Sequence, residues 1–195
     1  MADYERITDP TCDPVDLEQV KDFIRQDLDD EDTTISHLVR SAVVEIENFA
    51  SIAMLNQSIK AQLNGPFGAG RYALPVGPVT TDASVTVAML EPDGTITALD
   101  QNLWSIAQGR APAIWIVDDA TLPDLLSEET TTLIVTYTAG FGDDDRDVPA
   151  DLRHAVLDQV AVTYENRGPN KLSRHQPSMS PHMLRIAQRY KRVTI

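Results

Sequence analysis

One cysteine, Cys12, is all that a chain of 195 residues contains. No internal disulfide can form, so the fold has to rest on an apolar core. A chain of this length buries roughly 70% of its unfolded surface and needs neither disulfide nor metal to fold. A lone thiol near the start reads as inert rather than nucleophilic. Long apolar runs are also missing, and no stretch approaches the roughly 20 residues of a membrane-spanning helix. The opening MADYERITDP is polar and charged, which does not fit a secretory signal, so the Asn56-Gln57-Ser58 sequon carries no meaning. The expectation is a soluble protein made in the cytoplasm.

Basic charge is scarce and unevenly placed. All 30 acidic residues lie at or before Glu165, whereas Arg167, Lys171, Arg174, Arg185, Arg189, Lys191 and Arg192 lie after it. The remaining nine of the 16 Lys and Arg leave the body at a formal −21 and the end at +7. Such a body repels nucleic acid and acidic membranes. An acid-free end with Met183, Leu184, Ile186, Tyr190, Val193 and Ile195 among its cations is too apolar for a purely solvating tail, so it reads as a docking segment.

What is present gives an α+β pattern. Asp13 and Pro14 suit the start of a helix over 14–28, with Leu17, Val20, Ile24 and Leu28 as its apolar stripe. Ile35, Leu38, Val39, Ala42, Val43, Ile46, Phe49 and Ala50 fall at helical spacing and predict a helix over 33–54, with Glu45, Glu47 and Asn48 off the stripe. Residues 57–138 turn to Val, Ile, Thr and turn formers. Strands are expected at 58–63, 83–90, 95–99, 103–107, 113–117 and 131–138, with the proline-broken YALPVGPV (72–79) as an edge strand. Connections this short require antiparallel pairing. Pro149 then opens a helix over 149–166, with Leu152, Ala155, Val156, Val160 and Thr163 on one face. The resulting organisation is a flexible 1–12, a body over 13–167 and an extended basic tail over 168–195. The body is a helical bundle with an inserted antiparallel β module; the tail is able to form a short final amphipathic helix on Met183, Ile186 and Tyr190, and KRVTI is equally able to add as a strand.

No reaction chemistry emerges. Asp143, Asp144, Asp145, Asp147 and Asp151 cluster within nine residues, and a metal-dependent hydrolase using 143–147 is the enzyme alternative. The run lacks the ligand alternation of a calcium loop, and carboxylates in so polar a loop beside Arg146 are better read as a solvated helix start. GPFGAG lacks the Lys-Ser/Thr of a phosphate loop. His37, His154, His175 and His182 show no metal-ligand spacing. Trp104 and Trp115 read as strand packing. No cofactor is expected.

The ordered set of segments resembles the head–tail connector (adaptor, or head-completion) proteins of long-tailed bacteriophages, prophages and gene transfer agents. The similarity is carried by the helix pair of 13–54, the Leu-Pro-x-x-Pro of 72–79, EPDGT (91–95), the closing block 135–168 ending in Tyr-Glu-Asn-Arg, and YKRV (190–193). The resemblance implies a virion structural protein rather than an enzyme. It would be made in the bacterial cytoplasm and sit at the head–tail junction as a ring, commonly twelvefold. Its implied partners are the portal protein, a stopper or tail-completion protein and its own copies, with DNA passing through the channel without specific binding, and no membrane. The docking segment toward the portal would then comprise Met183, Leu184, Arg185, Ile186, Arg189, Tyr190, Lys191, Arg192, Val193 and Ile195. A monomeric binding module is the further alternative.

Overall fold

The computed structural model describes residues 3–80, 84–91, 93–117, 132–166 and 179–191. The chain divides into two compact units, one of Met1–Asp9 with Asn56–Gly140, the other of Pro10–Leu55 with Phe141–Ile195. The first holds the strands and the second the helices.

In the helical unit α1 is Leu17–Ile24, α2 Asp32–Ala50, α3 Ala150–Glu165 and α4 Pro181–Tyr190. All eight stripe residues of α2 belong to the unit's apolar cluster or pack against it, and Leu152, Ala155, Val156 and Val160 of α3 belong to it. Helix α1 is shorter than the stripe suggested. Asp16, not Asp13, caps it by accepting from the Glu18 N–H, and Arg25 ends it in a left-handed conformation (φ 59). Leu28 therefore falls outside the helix and is 62% exposed. The termination has a physical source: the N–H groups of Arg25 and Gln26 turn back onto the carbonyls of Asp22 and Lys21, closing the last turn.

Among the described residues of this unit two charged side chains are buried, and both serve chain turns. Glu47, off the apolar stripe by spacing, is only 2% exposed. Its carboxylate accepts the Met54 N–H at 2.7 Å, just past the left-handed Ser51 that ends α2. Spacing alone misses this, because the partner is a backbone group beyond the helix. Lys21 is 5% exposed and sends its ammonium to Asp29 and, at 3.1 Å, to Asp32. The hydrogen bonds to these two carboxylates raise the Lys21 pKa above its ordinary 10.5. The Lys21 hydrogen bond in turn lowers that of Asp29 below its ordinary 3.8. A raised lysine stabilises below about pH 10.5 and is lost above it; a lowered aspartate stabilises above about pH 3.8 and is lost below it. The clamp is thus complete only between these limits. Replacing Lys21 with Met is expected to remove most of the clamp's acid dependence, so urea titrations of wild type and variant should converge as pH falls below 3.8.

In the β unit the larger sheet has the order β1-β2-β8-β4-β5, all antiparallel. Its strands are β1 Asp3–Arg6, β2 Gln57–Asn64, β4 Thr86–Leu90, β5 Ile96–Ala98 and β8 Thr132–Ala139. The antiparallel expectation holds, but the stretch 1–12 read as flexible contains a strand. DYER has no apolar alternation, so no burial pattern marks it; it is held by backbone pairing from Asp3↔Gln62 to Arg6↔Ile59 and by Arg6 donating to Gln57 at 2.7 Å. The smaller sheet runs β3-β7-β6, with β3 Gly70–Ala73, β6 Trp104–Ala107 and β7 Ala113–Ile116. Of the proline-broken segment 72–79 only Tyr72 and Ala73 are strand, as the end of β3, with an isolated bridge of Val79 to Gly109, because Pro75 and Pro78 lack ladder donors. The hairpin at 91–95 forms, with Gly94 at φ 90 and Asp93 accepting the Thr95 N–H.

Candidate docking surface

The aspartate loop is a helix start. Asp144 accepts the Arg146 N–H at 3.0 Å, and Asp147 accepts the Asp144 N–H at 3.2 Å, a reciprocal cap on a short 3-10 turn, Asp145–Asp147. Pro149 then leads into α3. The Arg146 N–H and the adjoining Asp145 carboxyl hold Asp144 below the usual carboxylate range. Its contact with Asp144 and partial desolvation push Asp145 above that range. Asp143, Asp144 and Asp147 are exposed. Among the described residues no group of three or more His, Cys, Asp or Glu is placed to hold a metal ion. The Cys12 thiol lies against the Asp143 carbonyl, and desolvation followed by the charges of Asp144 and Asp145 push its pKa up, away from a reactive thiolate.

The basic end corrects the sequence reading most. The amphipathic helix expected on Met183, Ile186 and Tyr190 forms, as α4, but residues 181–190 are not part of an extended tail: the helix is packed into the helical unit. Met183, Ile186 and Ala187 are 0–2% exposed and belong to the core with residues of α2 and α3. Ser180 caps the helix by accepting the Met183 N–H at 3.0 Å and donates its own hydroxyl to Asp158. The Ser180 N–H reaches Gln159 Oε1 at 2.7 Å. At the other end Tyr190 donates to Asp151 at 2.7 Å, and Lys191 Nζ lies 4.5 Å from the centre of the Phe49 ring. Met183, Ile186 and Tyr190 are thus used within the chain, because their spacing puts them on one helix face. Arg185, Arg189 and Lys191 are exposed and Leu184 is half-buried. Arg192, Val193 and Ile195, the strand-like KRVTI ending and most of the extended 168–182 lie outside the described residues.

The tryptophans separate. Trp104 is buried at 9%, its indole N–H directed to the Leu99 carbonyl. Trp115 is 46% exposed and Val117, on the same side of β7, is 42% exposed. Register puts Arg71, Trp115 and Ser105 in one cross-strand row, all three exposed, while Ile114 and Ile116 point to the buried side. The packing expected of both tryptophans is found for Trp104, whereas Trp115 lies on the exposed face of its strand.

Among the described residues the two units hold four α-helices and two antiparallel sheets, and the fold is one found in chains of gene transfer agent particles. The chain aligns with one chain of the virion of a native gene transfer agent particle at TM-score 0.75 and 22% identity, over 98% of this chain and 96% of that one. It aligns with a chain of the neck of an empty gene transfer agent particle, computed with C6 symmetry, at TM-score 0.76, 22% identity and the same coverage. A neck of the native particle computed with C12 symmetry gives TM-score 0.74 and 21% identity, again over 98% and 96%. At such identities the likeness is one of fold, and it runs the length of the chain. No protein-family model and no curated protein matches the sequence.

Proposed function

We propose that the chain is a structural adaptor of a virion neck: copies of it form a ring, twelvefold, between the portal of a DNA-filled head and the stopper or tail-completion protein. The observation that carries this reading is the full-length fold likeness to chains of gene transfer agent necks, two of them solved with rotational symmetry. The role is structural and needs neither catalytic group nor cofactor, in keeping with aspartates engaged in capping. DNA passes through without specific binding, and an acid-rich body suits a wall to which an anionic polymer does not adhere.

The portal contact is assigned to the outer face of α4, with Leu184, Arg185, Arg189 and Lys191, and to Arg192, Val193 and Ile195, which follow it in sequence. Met183 and Ile186 are withdrawn from it. Electron microscopy of the chain mixed with its portal protein tests the assignment: rings of the chain stacked on the portal are expected, and their disappearance when Arg185, Arg189 and Lys191 are replaced by Glu. Portal particles without added density would overturn the adaptor reading; rings that survive the triple replacement would overturn the assigned contact alone.

A further inference from the structure

The smaller sheet differs in chemistry from the rest of the body. No Asp or Glu occurs in 64–80 or in 101–117, the two segments that supply β3, β6 and β7, and their only charged residues are Arg71 and Arg110. These cations lie together: Arg71 donates to the carbonyl of Ala111 at 3.1 Å, and Arg110 is the residue before it. Everything through Glu165 outside the two Arg-bearing segments has seven basic residues against 30 acids. On that background the exposed row Arg71–Trp115–Ser105, with Val117 beyond it, contains no acid and presents one large aromatic side chain beside a cation; Asp118 and Asp119, next in sequence, lie outside the described residues. Depletion of charge at the centre, with Trp and Arg as the large side chains, is the composition of an interface core, and Trp and Arg are the residues that most often dominate binding energy.

We propose that this face docks a second copy of the chain, with Trp115 as the anchor and Arg71 and Arg110 meeting the neighbour's acidic surface. Charge complementarity selects this occupant. Two bodies at −21 repel least where one of them contributes segments that carry Arg and no Asp or Glu, and acidic surface is what every other copy supplies in quantity. A contact between unlike faces repeats from copy to copy and closes into a ring. The inference therefore rests on the ring reading and names the surface that reading needs.

The test uses the full chain with portal protein as template, in wild-type form and as Trp115→Asp and as Arg71→Glu with Arg110→Glu. Circular dichroism checks that the variants are folded. Sedimentation and electron microscopy count rings, and hydroxyl-radical footprinting follows oxidation of Trp115, with buried Trp104 as the internal reference. The expected result is rings from wild type, Trp115 protected within them, and a fall of at least about tenfold in chain–chain association for each variant. Rings that form equally well from both variants, or with Trp115 still oxidised, overturn the inference and leave the ring reading standing. Protection of Trp115 by portal protein without chain–chain association assigns the face to a different partner and also overturns it. Absence of rings from wild type overturns the ring reading and this surface with it.

Discussion

Replacing Met183 with Asp is expected to unfold the helical unit. The side chain is 0% exposed and sits in the apolar cluster with Ile186, Ala187 and residues of α1, α2 and α3. Truncating a buried methionine to alanine costs about 2–5 kcal/mol, and an uncompensated buried carboxylate adds several more. Since a domain is stable by about 5–15 kcal/mol, Met183→Asp removes most or all of that margin, whereas Met183→Ala leaves a weakened but folded unit. Hydrogen exchange at the amides of α3 is the measurement. Protection should be lost in the Asp variant and reduced in the Ala variant; protection unchanged in both would mean that α4 adds little to the core.

The same packing limits how portal binding can be dissected. Deleting 181–195 removes Met183, Ile186 and Ala187 along with the Tyr190–Asp151 hydrogen bond, so loss of binding after that deletion reports unfolding as readily as loss of a contact. Replacements at exposed Arg185, Arg189 and Lys191 leave the buried face intact; because Arg189 lies 3.9 Å from Asp151 and Lys191 over the Phe49 ring, circular dichroism of the variant separates the two.

How far the sequence carried the reading depends on the kind of signal each element leaves. The apolar stripe of α2 is a burial pattern written at helical spacing; Ile35, Val39, Ala42, Ile46 and Ala50 are in the core, and Leu38, Val43 and Phe49 pack against it half-buried. The antiparallel sheet followed from connection lengths. Strand β1 escaped because DYER is held by backbone hydrogen bonds, which any sequence can make. Glu47 and Lys21 escaped because their burial depends on partners outside their own helix turns. The amphipathic spacing of α4 was legible at Met183, Ile186 and Tyr190, but nothing in that local pattern says that its apolar face packs on α2 and α3 of the same chain rather than on a partner. The acid-free sheet was legible as composition, yet only register and exposure show that Trp115 faces outward with Arg71.

Tyr137 links the core of the β unit to that surface, and its replacement carries the second large effect. It is 1% exposed on β8, and its hydroxyl both donates to the Val76 carbonyl at 3.0 Å and accepts the Val76 N–H at 3.1 Å. One phenol thus satisfies both backbone groups of a residue flanked by Pro75 and Gly77-Pro78, a segment whose prolines deny it ladder partners. Tyr137→Phe keeps the ring but leaves a buried donor and acceptor unpaired, at about 1–3 kcal/mol for each group not rescued by water. Tyr137→Ala adds the loss of a large buried ring, about 3–5 kcal/mol by analogy with phenylalanine, and is expected to unfold the unit. The milder variant is the more informative. Gly77 follows Val76 with no room for a side chain, since a Cβ there would lie 2.8 Å from the Arg110 carbonyl and 2.8 Å from Pro112 Cδ. Loosening Val76 therefore loosens the turn that carries Arg110. Tyr137→Phe should lower the denaturant midpoint of the β unit and, in the folded protein, weaken ring formation although the phenol itself is buried. A lowered midpoint with ring formation unchanged would show that the Arg110 turn keeps its place without Tyr137, and would confine that residue's role to stability.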